Sequence, residues 1–277
     1  MKIAFIGSGK MGGALVKGIL RAKVCEAADI IVTSQPAADA QKLAEETGVS
    51  LATTNAEAAR QADVVLLCVK PDDAHNALDS CTKELENKLL ISIAAGLRIG
   101  KLELYATELE GVESEFSETG YDGVRVIRAM PNTAAMVGKS VTSIACSDTV
   151  TEADCQAAEK IFRAVGKVYF VKESQMDAVT GLSGSGPAFV YLMMEALSDG
   201  GVAAGLPRSL ATELAIETVA GAVEMARGAH LAFLREMVTS PAGTTSAGLR
   251  RLEKSAVRSA FAEAVVSAAE RSRELSK

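Results

Sequence analysis

The sequence predicts an α/β architecture: a doubly wound sheet in the N-terminal part, then an all-α C-terminal part. Three observations predict it. Through Val171, short aliphatic runs alternate with helix-patterned segments, the rhythm of successive β-α-β units. The first run passes directly into "GSGKMG", a G-x-G-x-x-G set between a strand and a helix. After Val171 the strand patterns stop, and the rest of the chain reads as one helix after another. The expected division is residues 1–172 as the doubly wound α/β domain and residues 173–277 as the all-helical domain.

"KIAFI" (Lys2–Ile6) opens the sheet, and "MGGALVKGILRA" behind it has helical spacing. "DIIVTS" (Asp29–Ser34), "DVVLLCVK" (Asp63–Lys70) and "KLLISIAA" (Lys88–Ala95) are near-continuously apolar, as strands covered on both faces must be. Between them "PAADAQKLAEETG", "NAEAARQA" and "PDDAHNALDSCTKELEN" read as helices. "VRVIRAMP" (Val124–Pro131), "SVTSIACS" and "KVYFV" (Lys167–Val171) continue the alternation. The acidic stretch Lys101–Asp122 reads as a partial helix and then a solvated surface loop.

In the C-terminal part, Phe189, Leu192, Met193, Ala196 and Leu197 share one helix face. Pro187 suits the first turn of that helix, and Gly205 its stop. A second helix opens at Pro207. The last run, from about Ser246 to Leu275, is expected as a single helix roughly 45 Å long. So long a helix needs more core than this tail holds, so it is expected to bury against a second chain.

Composition narrows the chemistry. The chain has 277 residues, 48% hydrophobic and 23% charged, with a net charge of -6, which suits a globular protein and disfavours nucleic acid as a partner. No run approaches the ~18 apolar residues of a membrane span, and the opening "MKIAFIGSGK" meets glycine too soon for a signal peptide. Five scattered cysteines, none in C-x-x-C spacing, argue against disulfides and zinc and fit a cytoplasmic location. With only His75 and His230 there is little material for a metal enzyme or a Ser-His-Asp hydrolase. The chemistry is expected to come from a bound cofactor.

The glycine loop says which one. Gly7 permits the tight turn, Gly9 lets the backbone approach a pyrophosphate, and Gly12 lets helix and strand pack closely. The helix N-terminus adds N–H donors for the phosphates. About twenty residues on, an NAD-preferring site places a carboxylate on the ribose. Here stand Thr33, Ser34 and Gln35, so a 2′-phosphate is not repelled, and NADPH is favoured with NADH still admitted. "VKPDD" (Val69–Asp73) and "AAG" (Ala94–Gly96) end two strands at the edge where open α/β sheets bind ligands. The Lys70 side chain either reaches the cofactor or caps its strand.

With these pieces in place, the chain resembles the pyrroline-5-carboxylate reductases along almost its whole length. The resemblance rests on "FIGSGKMGGAL", "VKP", "RAMPNTAAMVG" (Arg128–Gly138), "AVTGLSGSGPAFVYLMMEALSDGGVAAGLPR" (Ala178–Arg208) and "REMVTSPAGTTSAGLRRLE" (Arg235–Glu253). It implies a Rossmann domain, a helical domain interleaved with that of a second subunit, and an active site between cofactor domain and helical dimer. It implies a homodimer, and in some members a ring of five dimers. Carried over by position, it places the cofactor against Ile6, Gly7, Ser8, Gly9, Lys10, Met11, Ser34, Asn55, Val69, Lys70, Pro71, Ala94, Ala95 and Gly96. It places the substrate against Ser240, Gly243, Thr244 and Thr245. There are departures: the family's usual glycine pair is Ala242-Gly243 here, its aliphatic residue after the threonines is Ser246, and Lys101–Gly123 is longer than usual.

The implied reaction is hydride transfer to a cyclic imine bearing a carboxylate, giving L-proline. Such an imine is basic enough to be protonated near neutral pH, so no His or Lys acid is required. "SPAGTT" precedes a helix, so its N–H groups can meet an anion, and Thr245 can hydrogen-bond the imine nitrogen. The plainer alternative is an ordinary N-cap. For "GLSGSGPAF" the capping and packing reading is favoured, for Ser183 and Ser185 alike. Asn132 and Thr133 lie on the cofactor side and are expected to shape the pocket without a catalytic role; His230 is expected to be structural. Two rivals stand beside this reading. One is a related imine or β-hydroxy acid reductase, disfavoured by the lack of any Lys between Gln175 and Arg208. The other is a non-catalytic NADPH-binding regulator, which has no need to keep "SPAGTT".

Overall fold

The computed structural model describes residues 1–107 and 124–276. Of the stretch Lys101–Asp122, expected as a partial helix and then a surface loop, residues 108–122 lie outside the described residues. The chain forms two compact units, one of Met1–Gly184 with Ala268–Lys277, the other of Ser185–Ser267.

The first unit is built on an eight-stranded sheet. Its strands are β1 (Ile3–Ile6), β2 (Ile30–Thr33), β3 (Ser50–Leu51), β4 (Val64–Leu67), β5 (Leu89–Ser92), β6 (Arg125–Met130), β7 (Ser140–Cys146) and β8 (Gly166–Phe170), in spatial order β3-β2-β1-β4-β5-β6-β7-β8. Every residue of β1, β2, β4 and β5 is buried. Successive residues serve opposite faces: Ala4 and Ile6 join one core with Val65, Leu67 and Leu90, while Ile3 and Phe5 join the other with Leu66, Ile91 and Phe162. That two-sided burial is why these strands read as unbroken apolar runs. β3 is two exposed residues and carries no apolar signal.

The helices of this unit are α1 (Lys10–Arg21), α2 (Ala37–Thr47), α3 (Asn55–Arg60), α4 (Ala74–Asp79), α5 (Ile99–Tyr105), α6 (Glu152–Arg163) and α7 (Met176–Val179). α1 buries Leu15, Val16 and Ile19. A Cβ on its Gly18 would run into the Val165 side chain, so that glycine sets the approach of helix and neighbour. Two expectations need correction here. "PDDAHNALDSCTKELEN" is not one helix but α4 between 3₁₀ turns at Pro71–Asp73 and Thr82–Leu85. Ser80 and Thr82 turn their hydroxyls back onto the carbonyls of Ala77 and Leu78, and such bonds compete with helix continuation. The alternation also fails once: β7 runs antiparallel to β6. Only a 3₁₀ turn, Thr133–Val137, closed by Gly138 at φ 70, joins them, and a parallel return needs a longer crossover.

The second unit contains α8 (Gly186–Ala203), α9 (Arg208–Ala226), α10 (Leu231–Met237), α11 (Thr244–Lys254) and the beginning of α12 (Val257–Leu275). α8 and α9 meet through Gly201 against Ala211, and Ser198 hydrogen-bonds Thr212 at 2.8 Å. Little else is buried. Leu192 and Leu197, on the helix face that spacing predicts, are 66% and 50% exposed. The single long C-terminal helix is also corrected. It breaks at Ser255–Ala256, where Ala256 takes φ 53, dividing it into α11 and α12. Finally, "GLSGSG" is not a capped turn. Thr180–Gly184 is a π-helical turn, Ser185 makes no capping bond, and the Ser183 hydroxyl donates to the Val179 carbonyl at 3.0 Å.

Candidate cofactor loop and substrate loop

The glycine loop is shaped for a phosphate. Gly7 sits at φ +96, and a Cβ there would come 2.7 Å from the Cys68 carbonyl oxygen and 3.0 Å from Val69 Cγ1. This close fit presses the loop against the "VKP" turn. A Cβ on Gly12 would overlap the Gly7 carbonyl, and one on Gly9 would meet nothing. The three glycines thus serve a left-handed turn, an open approach and a tight helix–loop contact. Gly9 is the N-cap of α1 and makes no side-chain capping bond, and the first turn of α1 has no acidic residue. Gly13 N–H is bonded to the Gly9 carbonyl at 2.8 Å; the amides of Lys10, Met11 and Gly12 precede the helical ladder and have no acceptor within it.

Ser8 supplies the test of fit. Among the described residues, its hydroxyl is the one buried side-chain oxygen without a hydrogen-bond partner. An orphaned hydroxyl costs about 1–3 kcal/mol unless something meets it. Set beside uncapped amides at a positive helix end, it is answered by an anionic oxygen. The residues present fit a dinucleotide pyrophosphate.

The other expected cofactor residues fall around this loop. Gly7 N–H donates to the Thr33 carbonyl at 2.9 Å, joining the loop to the end of β2. Ser8 N–H approaches Ser34 Oγ at 3.5 Å. Asn55 is largely committed within the protein: its Oδ1 accepts from Thr33 Oγ1 at 3.2 Å, and its Nδ2 donates to the Ala77 carbonyl at 3.2 Å and Ser80 Oγ at 3.0 Å. It braces β2, α3 and α4, leaving only spare acceptor capacity on Oδ1. Lys70 is exposed and precedes the 3₁₀ turn, its carbonyl accepting from Asp73 N–H. Ala94 and Gly96 are buried at the end of β5, Gly96 at φ 78. Asn132 caps the turn after β6 through Ala134 N–H and donates to the Ser183 carbonyl at 3.0 Å, a structural tie.

Sequence reasoning passed over Arg128. Its side chain is 3% exposed, within 3.7 Å of Glu173 and 4.0 Å of Asp177. Burial pulls the guanidinium below its ordinary value, against the opposing pull of the two carboxylates. The available signal was a charge inside the apolar run "VRVIRAM".

In the second unit, α11 opens without a side-chain cap. Its N-cap is Gly243, with Thr244 and Thr245 at the first two helical positions. Gly243 N–H closes a turn onto the Ser240 carbonyl at 3.1 Å, and a Cβ on Gly243 would overlap Ser240 Oγ. Ala247 N–H is bonded to the Gly243 carbonyl at 3.1 Å, so the amides of Thr244, Thr245 and Ser246 lack an intrahelical acceptor. An ordinary Ser or Thr N-cap is therefore absent. Thr244 is exposed and Thr245 half-buried. Ala242 stands at φ 57, in the left-handed region. His230 is the N-cap of α10, its Nδ1 accepting from Ala232 N–H.

Fold and glycine loop together define a dinucleotide-binding protein of the doubly wound class. Comparison with known proteins is more specific. Residues 173–275 match the family model described as pyrroline-5-carboxylate reductase dimerisation, and residues 2–96 match that described as NADP oxidoreductase, coenzyme F420-dependent. The pyrroline-5-carboxylate reductase of Methanosarcina acetivorans is 42% identical, over 100% of this chain and 98% of that protein. Among solved structures, the Plasmodium falciparum pyrroline carboxylate reductase with NADP bound is 33% identical, with a TM-score of 0.87 over 100% of this chain and 98% of its own. The Coxiella burnetii pyrroline-5-carboxylate reductase is 34% identical, with a TM-score of 0.88 over the same shares. The chain belongs to the pyrroline-5-carboxylate reductase family.

Proposed function

We propose that this protein reduces 1-pyrroline-5-carboxylate to L-proline with NADPH, the closing reduction of proline biosynthesis. What carries the reading is similarity across the whole length of known reductases, spanning both the glycine loop and "SPAGTT". NADPH, when bound, supplies the hydride for the imine carbon. The chain's own residues do the rest. Ile6 through Met11 hold the pyrophosphate, with Ser8 donating to it. Ser34 and Asn55 lie toward the adenosine ribose. Val69, Lys70 and Pro71 with Ala94, Ala95 and Gly96 line the nicotinamide side.

Ser240, Gly243 and Thr244 hold the substrate carboxylate, the uncapped amides at the start of α11 being its donors. Thr245, half-buried beside them, is the catalytic hydrogen-bond partner of the imine nitrogen and places its proton. The choice of NADPH over NADH rests on the neutral Ser34 and Gln35, with no carboxylate there to repel a 2′-phosphate. The working form is a homo-oligomer, at least a dimer and in the fullest form a ring of five dimers, in the cytoplasm.

The experiment is steady-state oxidation of NADPH and of NADH, with and without pyrroline-5-carboxylate. Activity dependent on that imine, with NADPH preferred, is expected. Thr245→Ala is expected to lower kcat about 100-fold, and Thr245→Ser to retain most of it. Undiminished reduction by Thr245→Ala overturns the role given to that hydroxyl, and imine-independent or absent oxidation overturns the substrate.

A further inference from the structure

The segment after β5 is held from two directions. At one end Gly96, buried and at φ 78, lies against Leu275 in the last turn of α12: a Cβ on Gly96 would stand 3.2 Å from Leu275 Cβ, 3.4 Å from its carbonyl carbon and 3.5 Å from its oxygen. Three residues on, Ile99 opens α5, and its N–H donates to Glu173 Oε1 at 2.6 Å. Glu173 Oε1 lies 3.7 Å from the Arg128 guanidinium, whose other nitrogen lies 4.0 Å from Asp177 Oδ1. Asp177 Oδ1 accepts from the Ser272 hydroxyl at 2.7 Å. Ser272 is one turn before Leu275 on α12 and accepts Ser276 Oγ on its carbonyl at 2.8 Å.

The contacts close on themselves. From Gly96 the chain reaches Ile99; from there Glu173, Arg128, Asp177 and Ser272 lead back through α12 to Leu275, which rests on Gly96. All of these residues belong to the first unit, which includes Ala268–Lys277. Ser272 and Ser276 are buried polar residues at the end of a helix that is otherwise largely exposed. The Ser272–Asp177 bond and the approach of Leu275 to Gly96 hold this turn of α12 in place.

We infer that the C-terminal turn of α12, anchored by Ser272 to Asp177 and Arg128, is a positioning element for the cofactor loop Ala94–Gly96. Arg128 is the hub: its guanidinium holds together the two carboxylates that tie down Ile99 and Ser272. Gly96 is glycine for two reasons, its left-handed backbone and the approach of Leu275. The inference rests on the reading that Ala94–Gly96 meets NADPH.

The test uses the full-length protein and two variants. Amide hydrogen exchange over residues 93–97 is measured with and without NADPH, and the NADPH dissociation constant by nucleotide fluorescence. NADPH is expected to protect 93–97 in the unaltered protein. Ser272→Ala is expected to raise the dissociation constant and the KM for NADPH about fivefold, with kcat and the KM for the imine nearly unchanged, and Ser272→Thr to restore the affinity. A chain ending at Arg273, which keeps the Ser272–Asp177 bond but removes Leu275, is expected to show the same loss, so the inference stands independently of any instability of Ser272→Ala. Protection of 93–97 with unaltered NADPH affinity in the shortened chain overturns the positioning role. Absence of protection by NADPH overturns the cofactor reading of the loop itself.

Discussion

Ala242 sets a cost at the substrate loop. Its φ of 57 is left-handed, which costs an L-residue about 1–2 kcal/mol, and glycine is the residue that the family resemblance leads one to expect there. Glycine brings its own penalty of about 0.4–1 kcal/mol through the freer unfolded chain. The balance predicts that Ala242→Gly stabilises the protein by roughly 0.5–1 kcal/mol, measured as a higher thermal midpoint at fixed protein concentration. An unchanged or lower midpoint contradicts the strain. This departure was visible in the sequence, but its meaning was not, because a backbone angle is set by the turn that Ser240 and Gly243 close. Ser8 is the converse case. Its place in the glycine loop was legible; that its hydroxyl is buried and unpartnered was not.

Element by element, the ties between strands and helices carry much of the order. Thr151 and Asp154 form a reciprocal cap at the start of α6, and Arg125 Nε on β6 donates to the same Asp154 carboxylate at 2.8 Å. Burial alone would raise the Asp154 carboxyl, but the bonds from Thr151 and Arg125 outweigh it and hold the group below its ordinary value. A depressed carboxyl contributes stability that is complete above its unfolded value, about 3.9, and is lost as pH falls through the folded value. Asp154→Asn is accordingly expected to cost about 1.5–3 kcal/mol near pH 7, with the gap to the unaltered protein closing as pH falls below about 4. Denaturation midpoints across that range check it, and a gap independent of pH contradicts it. At this scale the strands were legible because two-sided burial demands unbroken apolar runs. The break at Ala256 was not, since alanine is the best helix former and nothing local announces it.

For the molecule as a whole, the second unit has too much apolar surface to stand alone. Leu192, Leu214, Leu231 and Phe233 are 66%, 47%, 69% and 59% exposed. Apolar area on this scale marks an interface, and a surface that meets its own copy does so about a two-fold axis. Sedimentation is expected to show a dimer or a multiple of it. Leu192→Glu combined with Leu214→Glu is expected to shift it toward single chains and to lower imine reduction more than tenfold. A protein that stays fully associated shows that these two side chains are not in the interface. Helical spacing alone placed Leu192 and Leu197 on one helix face. The face is real, and within this chain it is exposed.

By itself the sequence determined the α/β architecture, the glycine loop, the run of C-terminal helices and the family, because each is written in local pattern: period, glycine spacing, and the run "SPAGTT". Tertiary structure alone decided the antiparallel turn of β7, the bracing of Asn55, the π-helical turn at Thr180–Gly184, and the meeting of Arg128, Asp177 and Ser272. These depend on which distant residues share a neighbourhood. Ser272 and Asp177 are 95 positions apart, and no periodicity in either segment points to the other; only the folded chain brings hydroxyl and carboxylate within a hydrogen bond.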